Sequence, residues 1–298
     1  RNSRKPVKQA NAPIKGSVET PMKGTLRCSL SALGPQTVPY LARPFVDIRS
    51  PRDTTTLPSW MSENQRQYAN FLFSRTIAAH PVLVAQTIHR LPLQPFPQVA
   101  VIGKSNVGKS SLINALMHGK EVTRTSSTPG RTRHLFTFDL GDQLSLVDLP
   151  GYGFAKVAKE RQNDWAVLIE EYFNRSRSLK RVISLIEGPT GIGRLDEKLW
   201  EMMVEKNRQF MVVITKVDTL KPLELHALML RVIASLEGVR AEAQSRDCRS
   251  DIVWPFVHAV AARYNEGMKE LRCSLSVIAS DHHILEHQTR LKRGAMHR

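Results

Sequence analysis

The sequence predicts an α/β fold, a doubly wound, mostly parallel sheet of about six strands preceded by a basic extended N-terminal arm. Three observations carry this reading. Apolar runs of strand length alternate with amphipathic helical stretches from about residue 98 onward. One of those runs, Phe96 to Ile102, feeds a glycine-rich loop, Gly103-Lys104-Ser105-Asn106-Val107-Gly108-Lys109-Ser110-Ser111, which opens into a helix with Leu112, Ile113, Leu116 and Met117 on one face. The first 60 residues, by contrast, hold ten Lys/Arg against three Asp/Glu and eight of the 17 prolines, with no sustained periodicity.

Taken in order, residues 1–62 read as the arm, 63–280 as the folded domain and 281–298 as a polar basic tail. Ser62 followed by Glu63 caps a helix carrying Tyr68, Phe71, Leu72 and Ile77, stopped at His80-Pro81; Pro92, Pro95 and Pro97 then mark a linker into the glycine-rich loop's strand. Residues 119–133 form a polar loop with the turn Thr128-Pro129-Gly130, leading into a strand at His134–Leu140. Gly141-Asp142 signals a hairpin to an antiparallel partner at Gln143–Asp148. A helix with Trp165, Leu168, Ile169, Tyr172 and Phe173 follows, then a strand at Arg181–Ile186, a helix over Leu195–Glu205 and a strand at Phe210–Ile214. A helix with Leu225, Leu228, Met229, Val232 and Leu236, a short strand around Asp251–Val257 and a helix with Met268, Leu271, Leu275 and Ile278 complete the domain.

The chemistry sits at three strand ends. In the loop 103–111, Gly103 and Gly108 let backbone N–H groups turn toward phosphate oxygens, Lys109 reaches the β and γ phosphates, and the Ser110 hydroxyl is placed to ligate Mg²⁺. Asp148-Leu149-Pro150-Gly151 closes a strand about 40 residues later, where a carboxylate holds a Mg²⁺-bound water and the Gly151 amide meets the γ-phosphate. Thr215-Lys216-Val217-Asp218 follows the apolar run Met211–Ile214. There the Asp218 carboxylate can accept two N–H bonds from a guanine edge while Lys216 lies across the base; adenine lacks that donor pair, so the motif selects GTP over ATP. Spacing alone leaves Thr123, Thr125, Thr128 and Thr132 open as the residue that closes over the γ-phosphate.

Net charge narrows the partners. A chain of 298 residues with a formal charge of +16 exceeds what solubility requires, so a polyanion is expected. Lys120, Arg124, Arg131, Arg133, Lys156, Lys159 and Arg161 are expected to crowd the switch side, joined by Arg175, Arg177, Lys180 and Arg181. Three scattered cysteines, Cys28, Cys248 and Cys273, fit neither a disulfide framework nor a thiolate metal site. No apolar run approaches membrane-span length. The chain starts without methionine in a basic, Ser/Thr-rich, acid-poor stretch like that near an organellar transit peptide; the expectation is the mitochondrial matrix, with plastid as the alternative.

These motifs resemble the EngB (YihA) family of P-loop GTPases over about residues 65–280. The family's phosphate loop, Gly-x-Ser-Asn-x-Gly-Lys-Ser-Ser, matches 103–111. Its first switch, Thr-Pro-Gly-x-Thr, matches 128–132 with Gly130, Arg131 and Thr132, and its second, Asp-Leu-Pro-Gly-Tyr-Gly, matches 148–153. The resemblance implies that Thr132 closes over the γ-phosphate and completes the Mg²⁺ shell with Ser110, and that Lys109, Thr132 and Gly151 carry turnover. It implies that Asn106 holds a K⁺ ion near the phosphates. It also implies GTP/GDP as ligands and ribosome assembly as the setting, with ribosomal RNA, the immature large subunit and other assembly factors as partners of a protein otherwise monomeric.

Two departures stand out. Val260-Ala261-Ala262 occupies the family's last guanine motif without its hydroxyl, and Glu187-Gly188-Pro189 replaces an Asp-x-Arg loop. Tyr152 stands where Ras-like proteins carry a water-orienting Gln, so slow hydrolysis is expected. The rival expectation is a GTP-bound structural RNA-binding factor with little turnover.

Overall fold

The computed structural model describes residues 43–74, 83–85, 96–123, 135–153 and 159–296. Among these an eight-stranded sheet runs in the order β1-β8-β7-β6-β3-β5-β4-β2, two strands more than the sequence suggests. The strands are β1 (Phe45–Asp47), β2 (Leu83–Ala85), β3 (Gln98–Gly103), β4 (Leu135–Asp139), β5 (Ser145–Asp148), β6 (Leu179–Glu187), β7 (Phe210–Thr215) and β8 (Phe256–Ala259). The helices are α1 (Glu63–Ser74), α2 (Lys109–Leu116), α3 (Lys159–Arg175), α4 (Arg194–Glu205), α5 (Pro222–Ser245) and α6 (Met268–Met296). The five strands β8, β7, β6, β3 and β5 are mutually parallel. Antiparallel pairs then extend both edges, β1 on β8 at one and β4 and β2 beyond β5 at the other.

The central strands bury both faces, and the helices divide between those faces as a doubly wound sheet requires. Ile169, Tyr172, Phe173, Leu199, Trp200, Leu225 and Leu228 from α3, α4 and α5 pack with Ala100, Ile102 and Val147 on one face. Leu72, Leu112, Leu116, Met268 and Leu271 from α1, α2 and α6 pack with Val99, Val101 and Leu146 on the other. Local signals behave as read where they are described; Ile77, the stop at His80-Pro81 and the linker prolines Pro92 and Pro95 lie outside the described residues. The Ser62 hydroxyl accepts the Gln65 N–H at 3.3 Å at the start of α1. Gly141 and Asp142, with φ of 64° and 57°, turn β4 into β5.

Four expectations change. Residues 43–62 belong to the domain and not to the arm: β1 pairs with β8 in the register Phe45 to His258, and the strap continues through Trp60 and Met61 into α1. Aromatic packing holds it, with Phe45 edge-on to Trp60 at 4.8 Å between centroids and Trp60 edge-on to Phe256 at 5.1 Å. Each such pair contributes about 0.5–1.5 kcal/mol beyond the burial of its rings. The last strand is displaced to 256–259 because Pro255 cannot donate to a ladder; Val253 makes only an isolated bridge to Phe210. Helix α6 runs through 281 to Met296, so the polar stretch expected as a tail continues the helix.

Arg181 is the fourth. Counted among the surface basics, it is buried, with its guanidinium 3.6 Å from the Trp254 ring centroid and Nε donating to Gln209 Oε1 at 2.8 Å. Burial pushes its pKa down to about 9, with Asp251 opposing. Arg175, Arg177 and Lys180 flank the start of β6, which pairs with Gln98 at the start of β3. They therefore lie at the end of the sheet away from the glycine-rich loop, not on the switch side.

Next to Arg181, His258 is completely buried and both ring nitrogens lack a hydrogen-bond partner. Burial, reinforced by the Arg181 charge, pushes its pKa down to about 3. The unfolded chain therefore binds a proton that the folded chain refuses between the ordinary histidine value and about 3. Stability is predicted to fall as pH drops through that window, by up to about 1.4 kcal/mol per pH unit from this one group. Chemical denaturation at stepped pH checks it, and His258→Leu should flatten the acid side of the curve.

Candidate nucleotide site

The glycine-rich loop leaves β3 and enters α2 through two left-handed residues, Asn106 at φ 66° and Gly108 at φ 97°. The first helical bond is Leu112 N–H to Gly108 O at 2.8 Å, so the amides of Lys109, Ser110 and Ser111 have no acceptor within the helix and face outward with its positive end. Gly103 has no room for a side chain: a Cβ would lie 2.8 Å from Leu185 Cβ and 2.9 Å from Val107 Cγ1. Strand β6 thus packs against the loop's root.

The segment after β5 is stitched to that loop. Leu149 N–H donates to Val101 O at 3.0 Å and Tyr152 N–H to Gly103 O at 3.2 Å. Ser105 returns two bonds to Tyr152 O, from its N–H at 2.9 Å and its hydroxyl at 3.1 Å. A Cβ on Gly151 would meet Gly103 O at 3.1 Å, so the two segments approach too closely here for a side chain without a shift. Between the two segments, the Lys109 ammonium donates to the Asp148 carboxylate, both side chains being largely buried at 12% and 6% exposure. Burial pushes the Asp148 carboxyl up, while Lys109 works in the opposite direction.

The third segment grips the loop from the far side. The Thr215 hydroxyl donates to Val107 O at 2.6 Å, and the Lys216 ammonium donates to Asn106 O at 2.6 Å and to the Glu187 carboxylate. Burial tends to raise Glu187, but the Lys216 and Thr190 hydrogen bonds win and hold it below the usual carboxylate range. With its ammonium committed, Lys216 offers its aliphatic stem to a base. Val217 is buried, whereas Asp218 is exposed. Val260 lies alongside, its N–H on Ile214 O at 2.8 Å and its carbonyl accepting from Val217 N–H at 3.4 Å. The buried Ala261 and half-buried Ala262 complete that wall.

The structure thus gathers Gly103 to Ser111, Asp148 to Gly151, Thr215 to Asp218 and Val260 to Ala262 at the carboxyl ends of parallel strands, where open α/β sheets bind ligands. Gly130, Arg131 and Thr132 lie outside the described residues, as do Arg124, Arg133 and Lys156. Tyr152 does not face the site. It is buried, and its hydroxyl donates to the Asp196 carboxylate of α4, which with burial pushes the phenol far up.

Two contributors escaped the sequence reading. Glu187 receives Lys216, and Asn114 fastens the start of the first switch: its side chain accepts Thr123 N–H at 2.9 Å and donates to Thr123 O at 3.0 Å, while the Thr123 hydroxyl reaches Ser110 O at 3.1 Å. The available signal was a lone amide inside the otherwise apolar run Leu112 to Met117.

Residues 98–216 match a family model described as "50S ribosome-binding GTPase". A "Probable GTP-binding protein EngB" of Rickettsia bellii is 38% identical over 192 residues, covering 64% of this chain and 84% of that protein. The protein of the same description from Gluconobacter oxydans is 36% identical over 195 residues, covering 65% and 81%. A crystal structure titled as a probable GTP-binding protein engB overlays with a TM-score of 0.48 at 19% identity, covering 62% of this chain and 99% of that one.

Two variants test the site. Asp218→Asn replaces two acceptors by one acceptor and one donor; GDP affinity should fall by at least about 100-fold and xanthosine diphosphate binding should appear in a fluorescent-nucleotide titration. Thr215→Val leaves the Val107 carbonyl without its buried donor, at about 1–3 kcal/mol, and should weaken GDP binding several-fold without exchanging base preference.

Proposed function

Because the chain belongs to the EngB family of GTP-binding proteins, we propose that it is a slow GTPase switch of ribosome assembly. In this reading it docks on an immature large ribosomal subunit of an organelle through its basic arm and basic face. It leaves after hydrolysis rearranges Thr132 and the 148–163 segment. The observation that carries the reading is the fastening of the guanine motif to the phosphate loop by Thr215 and Lys216, which makes base selection and phosphate binding parts of one rigid frame. Support for the ribosome comes from the description of the matching family model and from the +16 charge.

The donor set fits a bound Mg²⁺. Ser110 and Asp148, the latter through water, with Thr132 from the first switch, would hold the ion, which neutralises charge developing between the β and γ phosphates. Lys109, released from Asp148, takes phosphate oxygens, and the Gly151 amide is positioned for the γ-phosphate. Asn106 is the residue proposed to hold K⁺. The compartment proposed is the mitochondrial matrix, with plastid as the alternative. Among the described residues no helix is long and apolar enough to cross a membrane.

A second reading, a GTP-bound structural wedge on ribosomal RNA, draws on the burial of Tyr152 away from the site and on the missing hydroxyl at Val260-Ala261-Ala262. Sedimentation of tagged protein from organelle lysate separates the two. The switch predicts co-migration with large-subunit precursor RNA under GTP or a non-hydrolysable analogue and loss under GDP, with Thr132→Ala no longer released from the particle. Nucleotide-independent co-migration would favour the wedge, and absence of ribosomal RNA would overturn both. Turnover in KCl exceeding that in NaCl by tenfold or more is the expected mark of Asn106.

A further inference from the structure

We propose that Glu187 is a positioning residue for the guanine base: it anchors the ammonium of Lys216 so that the lysine stem stands ready to receive the base, and it thereby sets how slowly guanine nucleotide leaves. The inference rests on the reading of Thr215 to Asp218 as the guanine motif and names what holds that motif's lysine in place.

The lysine needs holding. Lys216 sits in left-handed backbone, at φ 55° and ψ 34°, which a residue with a side chain occupies only at a cost. Its stem runs past the phosphate loop, where a Cβ on Gly108 would lie 3.8 Å from Lys216 Cε. A four-carbon chain free in water samples many rotamers, and a base gains only from the one that lies across its pocket. The Lys216 side chain is 37% exposed, so water competes for its head. Asn106 O, 2.6 Å from the ammonium, is a neutral acceptor in a segment that is itself left-handed. Glu187 adds the opposite charge.

Glu187 is in turn fixed by its own loop. It closes β6 directly across from Thr215, one position from the lysine it holds. Its carbonyl accepts Thr190 N–H at 3.2 Å and Gly191 N–H at 2.8 Å, with Gly191 turning at φ 69°. One carboxylate oxygen accepts Lys216, and the other accepts the Thr190 hydroxyl at 2.7 Å. Gly188 N–H donates to Thr215 O at 2.9 Å, and a Cβ there would lie 2.9 Å from that oxygen, so the loop presses on the end of β7. An acceptor held at both oxygens keeps the ammonium in one place before a nucleotide arrives, and preorganisation of this kind lowers the ordering cost of binding. The benefit falls on the base and not on the phosphates, because the phosphate loop has a separate tie: the Thr215 hydroxyl holds Val107 O whether or not Lys216 is anchored.

For the test, the full chain is loaded with a ribose-labelled fluorescent GDP and chased with unlabelled GDP, with inorganic tripolyphosphate as a competitor that has no base. Glu187→Gln, which keeps the size and one acceptor oxygen but not the charge, should release GDP roughly threefold faster and Glu187→Ala roughly tenfold faster, with association rates as in the parent. Tripolyphosphate should bind both variants as it binds the parent. GDP and inosine diphosphate should lose affinity in the same proportion, because the lysine stem meets the face of the ring and not its edge. Thr215→Val, which frees the loop itself, should weaken GDP and tripolyphosphate alike. Parent-like release from both Glu187 variants overturns the inference; so does an equal loss on tripolyphosphate, which would make Glu187 a brace for the phosphate loop. Either result leaves the guanine-motif reading standing, whereas a parent that binds ADP as well as GDP overturns that reading itself.

Discussion

The site depends on two side chains at the end of one strand. Thr215 and Lys216 donate to consecutive carbonyls of the phosphate loop, Val107 and Asn106, across the intervening strand β6. Glu187, at the end of β6, takes the same ammonium, so three parallel strand ends are bound into one frame. Those carbonyls sit in a segment that twice adopts left-handed backbone, at Asn106 and Gly108, and cannot be satisfied by regular secondary structure. The motif that selects the base thus also holds the loop that receives the phosphates. Glu187 shows that the loop departing from the family's Asp-x-Arg has acquired a structural use of its own.

How much of this could be read beforehand follows the distance over which each signal acts. The glycine-rich loop, the hairpin at Gly141-Asp142 and the helices announced by apolar spacing are local features, and the structure has them where the spacing puts them. Strand β1 was hidden because its three residues carry no periodicity and the strand that accepts them lies more than 200 residues later. Arg181 reads as surface charge until Trp254 and Gln209 are brought against it. The length of α6 was misjudged for another reason: polarity in a row of helix-forming residues reports a solvent-facing helix as readily as an unfolded tail.

The strap gives the sheet more than an extra strand. Without it, β8 would present an unpaired edge, the sort of surface other chains pair with. Phe45, Trp60 and Phe256 close that edge with rings instead of charges, and Ile48 N–H adds a bond to Pro255 O at 2.8 Å just where β8 begins. The basic segment is consequently joined to a fixed point of the domain instead of to a loose end.

Tyr152 has a wider implication. Its hydroxyl is spent on Asp196, inside the protein, and the chain leaves it through Gly153 in a left-handed turn. A side chain committed in this way serves the integrity of the fold and is unavailable to align a water. Under the proposed function, the speed of hydrolysis is then governed by whatever the docked particle brings to the pocket. The protein would be a clock whose escapement is housed in the object being timed, so that its release reports the state of the particle rather than the passage of a fixed interval.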